Sequence, residues 1–97
     1  MLHIINKSPY DRPALDSALA TGEGTILLIE DGVYAVAKGG AEEGKIKGAM
    51  GKFKFYALAP DLEARGIADR LMDGITSVDY AGFVDLVAEN KTCQSWL

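Results

Sequence analysis

Cysteine, histidine and tryptophan each occur once in this chain, and proline only three times. A single cysteine excludes an internal disulfide, so the thiol is expected to be reduced. One histidine at position 3 and one cysteine at position 93 offer no paired ligand spacing, which excludes a structural zinc site of the usual kind. Basic residues are also short: ten Lys and Arg face fourteen Asp and Glu, a formal charge of −4. That balance argues against a dedicated nucleic-acid binder, so any RNA contact would be local or made through a partner. No apolar stretch approaches the roughly 20 residues of a membrane span. The opening Met1 to Lys7 has no basic segment ahead of its short apolar run, unlike a signal peptide. The expectation is a soluble cytoplasmic protein. No Gly-rich phosphate loop follows any apolar run, and no cofactor is implied. There is no repeat, low-complexity segment or linker, and residues 1–97 read as a single domain.

Three apolar runs are present, and each ends on an acid. Ile26-Leu27-Leu28-Ile29 leads into Glu30-Asp31-Gly32, Phe53 to Ala59 into Pro60-Asp61, and Ile75 to Val78 into Asp79. Leu2 to Ile5 forms a fourth, short run rich in isoleucine. Helical spacing follows each of them: Leu15, Ala18 and Leu19 in a helix opening at Asp11 or Arg12; Val33, Val36 and Ala37; Leu62 to Arg65; and Phe83, Val84 and Val87 as the buried stripe of a last helix. Strands alternating with helices predict an α/β three-layer domain with a mostly parallel sheet flanked by helices. In such a sheet the carboxyl ends of the strands share one edge, where these folds place ligands and partners. Asp31, Asp61 and Asp79 each suit a helix N-cap as well. Ala41 to Gly51 is the least structured stretch, a loop or a frayed helix, and residues 92–97 read as a tail.

Few residues have chemistry to offer. His3 lies within the first strand, where a packed, hydrogen-bonded side chain is the plainer reading and catalysis the sharper one. Lys7 and Ser8 follow that strand and suit either an anion site or a solvated turn. Cys93, with Lys91 two residues before it, is the one candidate thiol nucleophile, since a nearby lysine favours thiolate. Trp96 and Leu97 either fold back onto the core or fill a groove on a partner subunit. Lysines 38, 45, 47, 52 and 54 give the middle of an acidic chain a basic stripe. At an edge strand, Lys52 and Lys54 would blunt aggregation, and the others would steer an acidic partner.

Taken in order, several short segments resemble the DsrH/TusB family, the smallest subunit type of the DsrEFH and TusBCD sulfur-relay complexes. They are Leu2-His3 with Asn6-Lys7-Ser8-Pro9, then Leu27-Leu28-Ile29-Glu30-Asp31-Gly32-Val33, Tyr56-Ala57-Leu58, Asp61-Leu62 with Ala64-Arg65-Gly66, Asp79-Tyr80 with Phe83-Val84, and finally Gln94 and Trp96. The resemblance implies an α/β fold and a heterohexamer with DsrE/TusD-like and DsrF/TusC-like subunits. It also implies a DsrC/TusE-like carrier that exchanges sulfur with the complex as a cysteine persulfide. The sulfur would serve either 2-thiolation of the tRNA wobble uridine or Dsr-type sulfur oxidation. In that family the principal persulfide cysteine belongs to the DsrE/TusD-type subunit. Some DsrH members carry a cysteine in the first helix, but here Pro13 to Ala20 contains none.

The reading that follows is a non-catalytic subunit of the relay, with Lys7, Ser8 and Asp31 at the strand-end rim and Trp96 at a subunit contact. Two rivals stand beside it: a persulfide carrier using Cys93, and a stand-alone ligand-binding domain using the acidic rim.

Overall fold

The computed structural model describes residues 1–9 and 13–96. The expected opening of the first helix at Asp11 or Arg12 lies outside the described residues, as does Leu97. Five strands form one sheet in the order β4-β3-β2-β1-β5. They are β1 (Leu2–Ile5), β2 (Gly24–Leu28), β3 (Phe53–Leu58), β4 (Thr76–Val78) and β5 (Cys93–Trp96). Every pairing among them is parallel. Between them run α1 (Ala14–Leu19), a 3-10 helix over Glu30–Val36, α2 (Glu43–Ala49), α3 (Ala59–Ala64), a short 3-10 turn over Ala68–Arg70, and α4 (Tyr80–Glu89).

The strand order sorts the helices into layers. Parallel crossovers are right-handed, so the direction of travel across the sheet decides which face receives the helix. The chain steps the same way from β1 to β2, β3 and β4, which places α1, the first 3-10 helix, α2 and α3 on one face. The return from β4 across to β5 places α4 alone on the other. The core divides accordingly. The larger cluster gathers Ile5, Leu15, Ala18, Ile26, Leu28, Val33, Val36, Ile46, Phe53, Phe55 and Leu62. The smaller one consists of Leu2, Leu27 and Leu86, with Ile4, Ile29, Tyr56, Val78 and Phe83 packed partly buried against it. In β2, Ile26, Leu27 and Leu28 are all fully buried, as the unbroken apolar run requires of a strand covered on both faces.

Two sequence expectations need correcting and one is narrowed. Residues 41–51, read as a loop or a frayed helix, contain the helix α2, whose Ile46 is fully buried. Ile46 and Ala49, set among glycines and charges, gave too thin a stripe to fix the helix from sequence. The segment read as a tail is β5, the strand that pairs with β1 from Leu2↔Cys93 to Ile5↔Trp96. Its polar composition hid it, because an edge strand needs only one packed position. In α4 the expected buried stripe is mostly outside: Leu86 is buried and Phe83 half-buried, but Val84 is 63% and Val87 38% exposed.

A close approach fixes the junction between β1 and the 3-10 helix. A Cβ built on Gly32 would stand 2.3 Å from the Ile5 carbonyl oxygen, a backbone atom that cannot swing aside. Gly48, in α2, faces open space. Gly32→Ala is therefore expected to destabilise the protein by about 1–3 kcal/mol, whereas Gly48→Ala should stabilise it by about 0.5–1 kcal/mol through helix propensity. Urea denaturation of the two variants checks both signs.

Candidate functional site at the carboxyl edge

Because all five strands are parallel, the segments after β1, β2, β3 and β4 meet along one edge, as expected from the strand-end acids. The chain leaves β2 through Glu30, which takes a left-handed conformation with φ 49°. A non-glycine residue there costs roughly 1–2 kcal/mol, and the neighbouring loop compensates. The Glu30 N–H donates to Asp61 Oδ2 at 2.7 Å, and the Asn6 amide reaches Glu30 Oε2 at 3.5 Å. Asn6 Oδ1 is buried without a hydrogen-bond partner among the described residues. Arg65 ties the cluster together: its Nε donates to Asp31 Oδ1 at 2.9 Å and its Nη1 lies 3.6 Å from Asp61 Oδ1. The bond to Asp31 raises the guanidinium pKa still further.

The three acids thus take three different roles. Asp79 is the N-cap of α4, accepting from the Gly82 N–H at 2.8 Å, as expected. Asp31 is not a cap: the 3-10 helix begins after Ile29 without a side-chain cap, and the Asp31 carboxylate turns to Arg65 instead. Asp61 lies within α3, whose N-cap position is Leu58, and it holds the Glu30 turn. Lys7 is exposed and Ser8 buried on the adjoining loop. Sequence reasoning missed Asn6, Glu30 and Arg65 as members of this cluster. The spacing of Asp61 and Arg65, one helical turn apart, was the available signal. Chemically, the cluster is a brace in which one guanidinium bridges two carboxylates, leaves the group net negative with Glu30, and keeps Asp31 partly open to solvent. Among the described residues, no three His, Cys, Asp or Glu side chains stand where they could hold a metal ion.

Cys93 is elsewhere. It opens β5 beside Leu2, and so lies at the amino edge of the sheet, exposed. The length of a four-residue strand, roughly 13 Å, separates that edge from the rim. Its side chain shares the α4 face with Leu2.

Trp96 folds back onto its own domain. The indole Nε1–H donates to His3 Nδ1 at 3.1 Å, with the two rings 6.1 Å apart. His3 is fully buried. Thr21 Oγ1 lies 3.3 Å from His3 Nε2, and the same hydroxyl donates to the Ala18 carbonyl at 2.7 Å. With its proton committed there, Thr21 accepts from His3 Nε2–H. The network therefore assigns a neutral imidazole with its proton on Nε2. Burial, followed by the positive charge of the N-terminal amine, lowers the His3 pKa. The plainer reading of this histidine holds: it is a packed, hydrogen-bonded clasp between β1, the end of α1 and β5.

The basic stripe is only partly free. Lys45 binds Asp16 and Glu42, and Lys47 lies 3.7 Å from Glu43. Lys38, Lys52 and Lys54 have no acidic partner among the described residues. No helix of the described residues is long and apolar enough to cross a membrane.

Comparison with known proteins gives a consistent result. A family model described as DsrH like protein matches residues 7–93. Protein TusB of Escherichia coli O81 (strain ED1a) is 37% identical over 98 residues, covering 99% of this chain and 100% of the relative. Protein TusB of Shigella flexneri is 35% identical over the same extent. Among solved structures, the protein of unknown function MTH1491 from Methanobacterium thermoautotrophicum superposes with a TM-score of 0.80 at 17% identity, covering 98% of this chain and 96% of that one. The ychN protein of E. coli gives a TM-score of 0.79 at 15% identity, covering 98% and 97%. At such identities these two structures speak for the fold alone.

The His3 clasp predicts a pH dependence. The folded-state pKa lies below 6.5, so the unfolded chain binds the proton first. Stability should be full above about pH 6.5 and fall as the pH drops towards the folded-state value, because protonated Nδ1–H would face the indole N–H. His3→Gln can accept from the indole and donate to Thr21 without titrating, and should remove the histidine-linked part of this slope. Thermal melts followed by Trp96 fluorescence between pH 5 and pH 8 compare the two.

Proposed function

The chain belongs to the DsrH/TusB family of sulfur-relay subunits, and from that premise we propose that it is a non-catalytic subunit of a cytoplasmic persulfide-transfer complex. One observation carries this reading: α4, alone on its face of the sheet, turns an apolar stripe outward. Tyr80 and Val84 are each 63% exposed and Val87 is 38% exposed, spaced along one side of the helix. A stripe of this kind is what a subunit interface requires. The partners would be DsrE/TusD-like and DsrF/TusC-like subunits in a heterohexamer, with a DsrC/TusE-like protein carrying sulfur to or from the assembly. The sulfur would serve wobble-uridine 2-thiolation of tRNA or Dsr-type sulfur oxidation.

The site chemistry supports a subunit that shapes and docks. Persulfide exchange needs an accessible thiolate in electropositive surroundings. Here the carboxyl edge holds a carboxylate–guanidinium brace, and the one thiol stands at the opposite edge. Lys7, Ser8 and Asp31 fall to the docking of the acceptor, and the uncovered part of Trp96 to a subunit contact. The exposure of Cys93 favours a second reading, in which it carries sulfur itself as a persulfide.

Native mass spectrometry of the tagged protein from its own cells is expected to show two co-purifying small subunits in equal ratio. Val84→Asp should lose them while leaving the isolated fold within about 0.5 kcal/mol, as is usual for an exposed position. A wild-type protein that runs alone overturns the heteromeric reading. Incubation with a sulfane donor, followed by intact mass, decides the second: the mass of one sulfur gained by wild type and not by Cys93→Ser would make this chain a carrier.

A further inference from the structure

We propose that the outer edge of β3 at Phe53–Phe55 is a slot in which an extended, acidic segment of a partner chain docks as an added strand. The proposal goes beyond the subunit role and stands on a different part of the surface.

The slot arises from a length mismatch. β3 runs over Phe53–Leu58, but its neighbour β4 pairs only from Tyr56↔Thr76 to Leu58↔Val78. Among the described residues, the first half of β3 therefore has β2 on one side and no strand on the other. Backbone direction follows from the Gly24 N–H, which donates to the Lys52 carbonyl at 3.1 Å. In a parallel ladder alternate residues address opposite neighbours, so Lys52 and Lys54 face β2 with their backbone groups, while Phe53 turns both of its own and Phe55 its N–H towards the vacant side. The Phe55 carbonyl belongs to the first step of the β4 ladder at Tyr56↔Thr76.

A cleft of about 270 Å³ occupies that side. Its lining identifies it as an edge slot. Phe53 and Phe55 belong to one face of the sheet and Lys54 and Tyr56 to the other, yet all four border the same space. Only a space beside the strand itself meets both faces. Gly74, with φ +91°, carries the chain away just before β4, and a Cβ placed on it would stand 2.9 Å from the Met50 side chain. Met50 and Gly74 thus form the outer wall, and methionine is the apolar side chain that adjusts most readily to an occupant. A second cleft of about 320 Å³ shares Met50, Phe53 and Lys54 and lies at the amino ends of β2 and β3, beside Gly24, Thr25 and Lys52. Three residues of strand are roughly 10 Å long, a fit for a short peptide segment.

Charge selects the occupant. Lys52 and Lys54 are exposed and, unlike Lys45 and Lys47, have no acidic partner among the described residues. Lys54 is the one charged residue lining the cleft and Lys52 borders its continuation, so carboxylates of the ligand belong on the lysine side. Lysines on an edge repel a second copy of the same edge, and they attract an acidic strand. Main-chain hydrogen bonds to the edge with side-chain selection beside it is the general form of strand addition.

The test uses the full chain in its purified assembly, with a labelled, capped peptide alternating glutamate and valine as the probe. Fluorescence anisotropy should show binding that weakens with salt and drops roughly tenfold in the Lys52→Gln/Lys54→Gln double variant. Hydrogen–deuterium exchange should slow at residues 53–55 when the probe is present. Unchanged exchange at 53–55, equal binding of a lysine–valine peptide, or protection of this segment by self-association at rising protein concentration would each overturn the proposal. None of these outcomes touches the subunit reading, which native mass spectrometry decides separately.

Discussion

Everything in this molecule hangs on β1, which is hydrogen-bonded along both sides. It pairs with β2 through Leu2↔Thr25 to Ile5↔Leu28 and with β5 through Leu2↔Cys93 to Ile5↔Trp96. The first strand of the chain therefore stands between the second and the last. That position holds both ends of the chain in the sheet, and it makes the order of strands reverse direction beside β1. The reversal sends one helix to the far face and leaves the other helical segments on the near one. The His3 network reinforces the same joint, because one buried ring accepts from Trp96 and donates to Thr21, joining strand, helix end and edge strand.

The asymmetry of the two faces has functional weight. On the near face, the helices cover a continuous core from Ile5 to Ile75. On the far face, a single ten-residue helix covers Leu2 and Leu27 and shows apolar side chains to solvent. A monomer gains nothing from exposed Val84 and Tyr80, whereas a subunit does. The carboxyl edge is braced in the opposite manner: Arg65 bridges Asp31 and Asp61, and Asp61 secures a strained backbone turn at Glu30. An edge of that sort keeps its loops in place and offers Lys7 beside them, with no nucleophile in the cluster.

Much of the fold was legible from residues 2–5, 26–29, 53–59 and 75–78, because unbroken apolar runs separated by helical spacing leave few alternatives to a parallel sheet. That the acids would share an edge followed from the same pattern. The family was legible too, from weak segments in the right order. What those acids do was not. An aspartate after a strand reads as a cap, as Asp79 is, and only folding shows that Asp31 has Arg65 within reach across 34 positions. β5 escaped because a polar strand paired to a buried one has no pattern of its own.

The helix at Tyr80–Glu89 shows the division most clearly. Its sequence by itself determined that an amphipathic helix would form, capped by Asp79, with an apolar side made of Phe83, Val84 and Val87 among others. Apolar periodicity reports that a surface must be hidden, but not from which side. Only the tertiary structure decided that Leu86 would face the sheet and that Val84 and Tyr80 would face outward. The reason is geometric: the return crossover from β4 to β5 sets the helix's rotation over the sheet, and that crossover depends on pairings between residues at opposite ends of the chain.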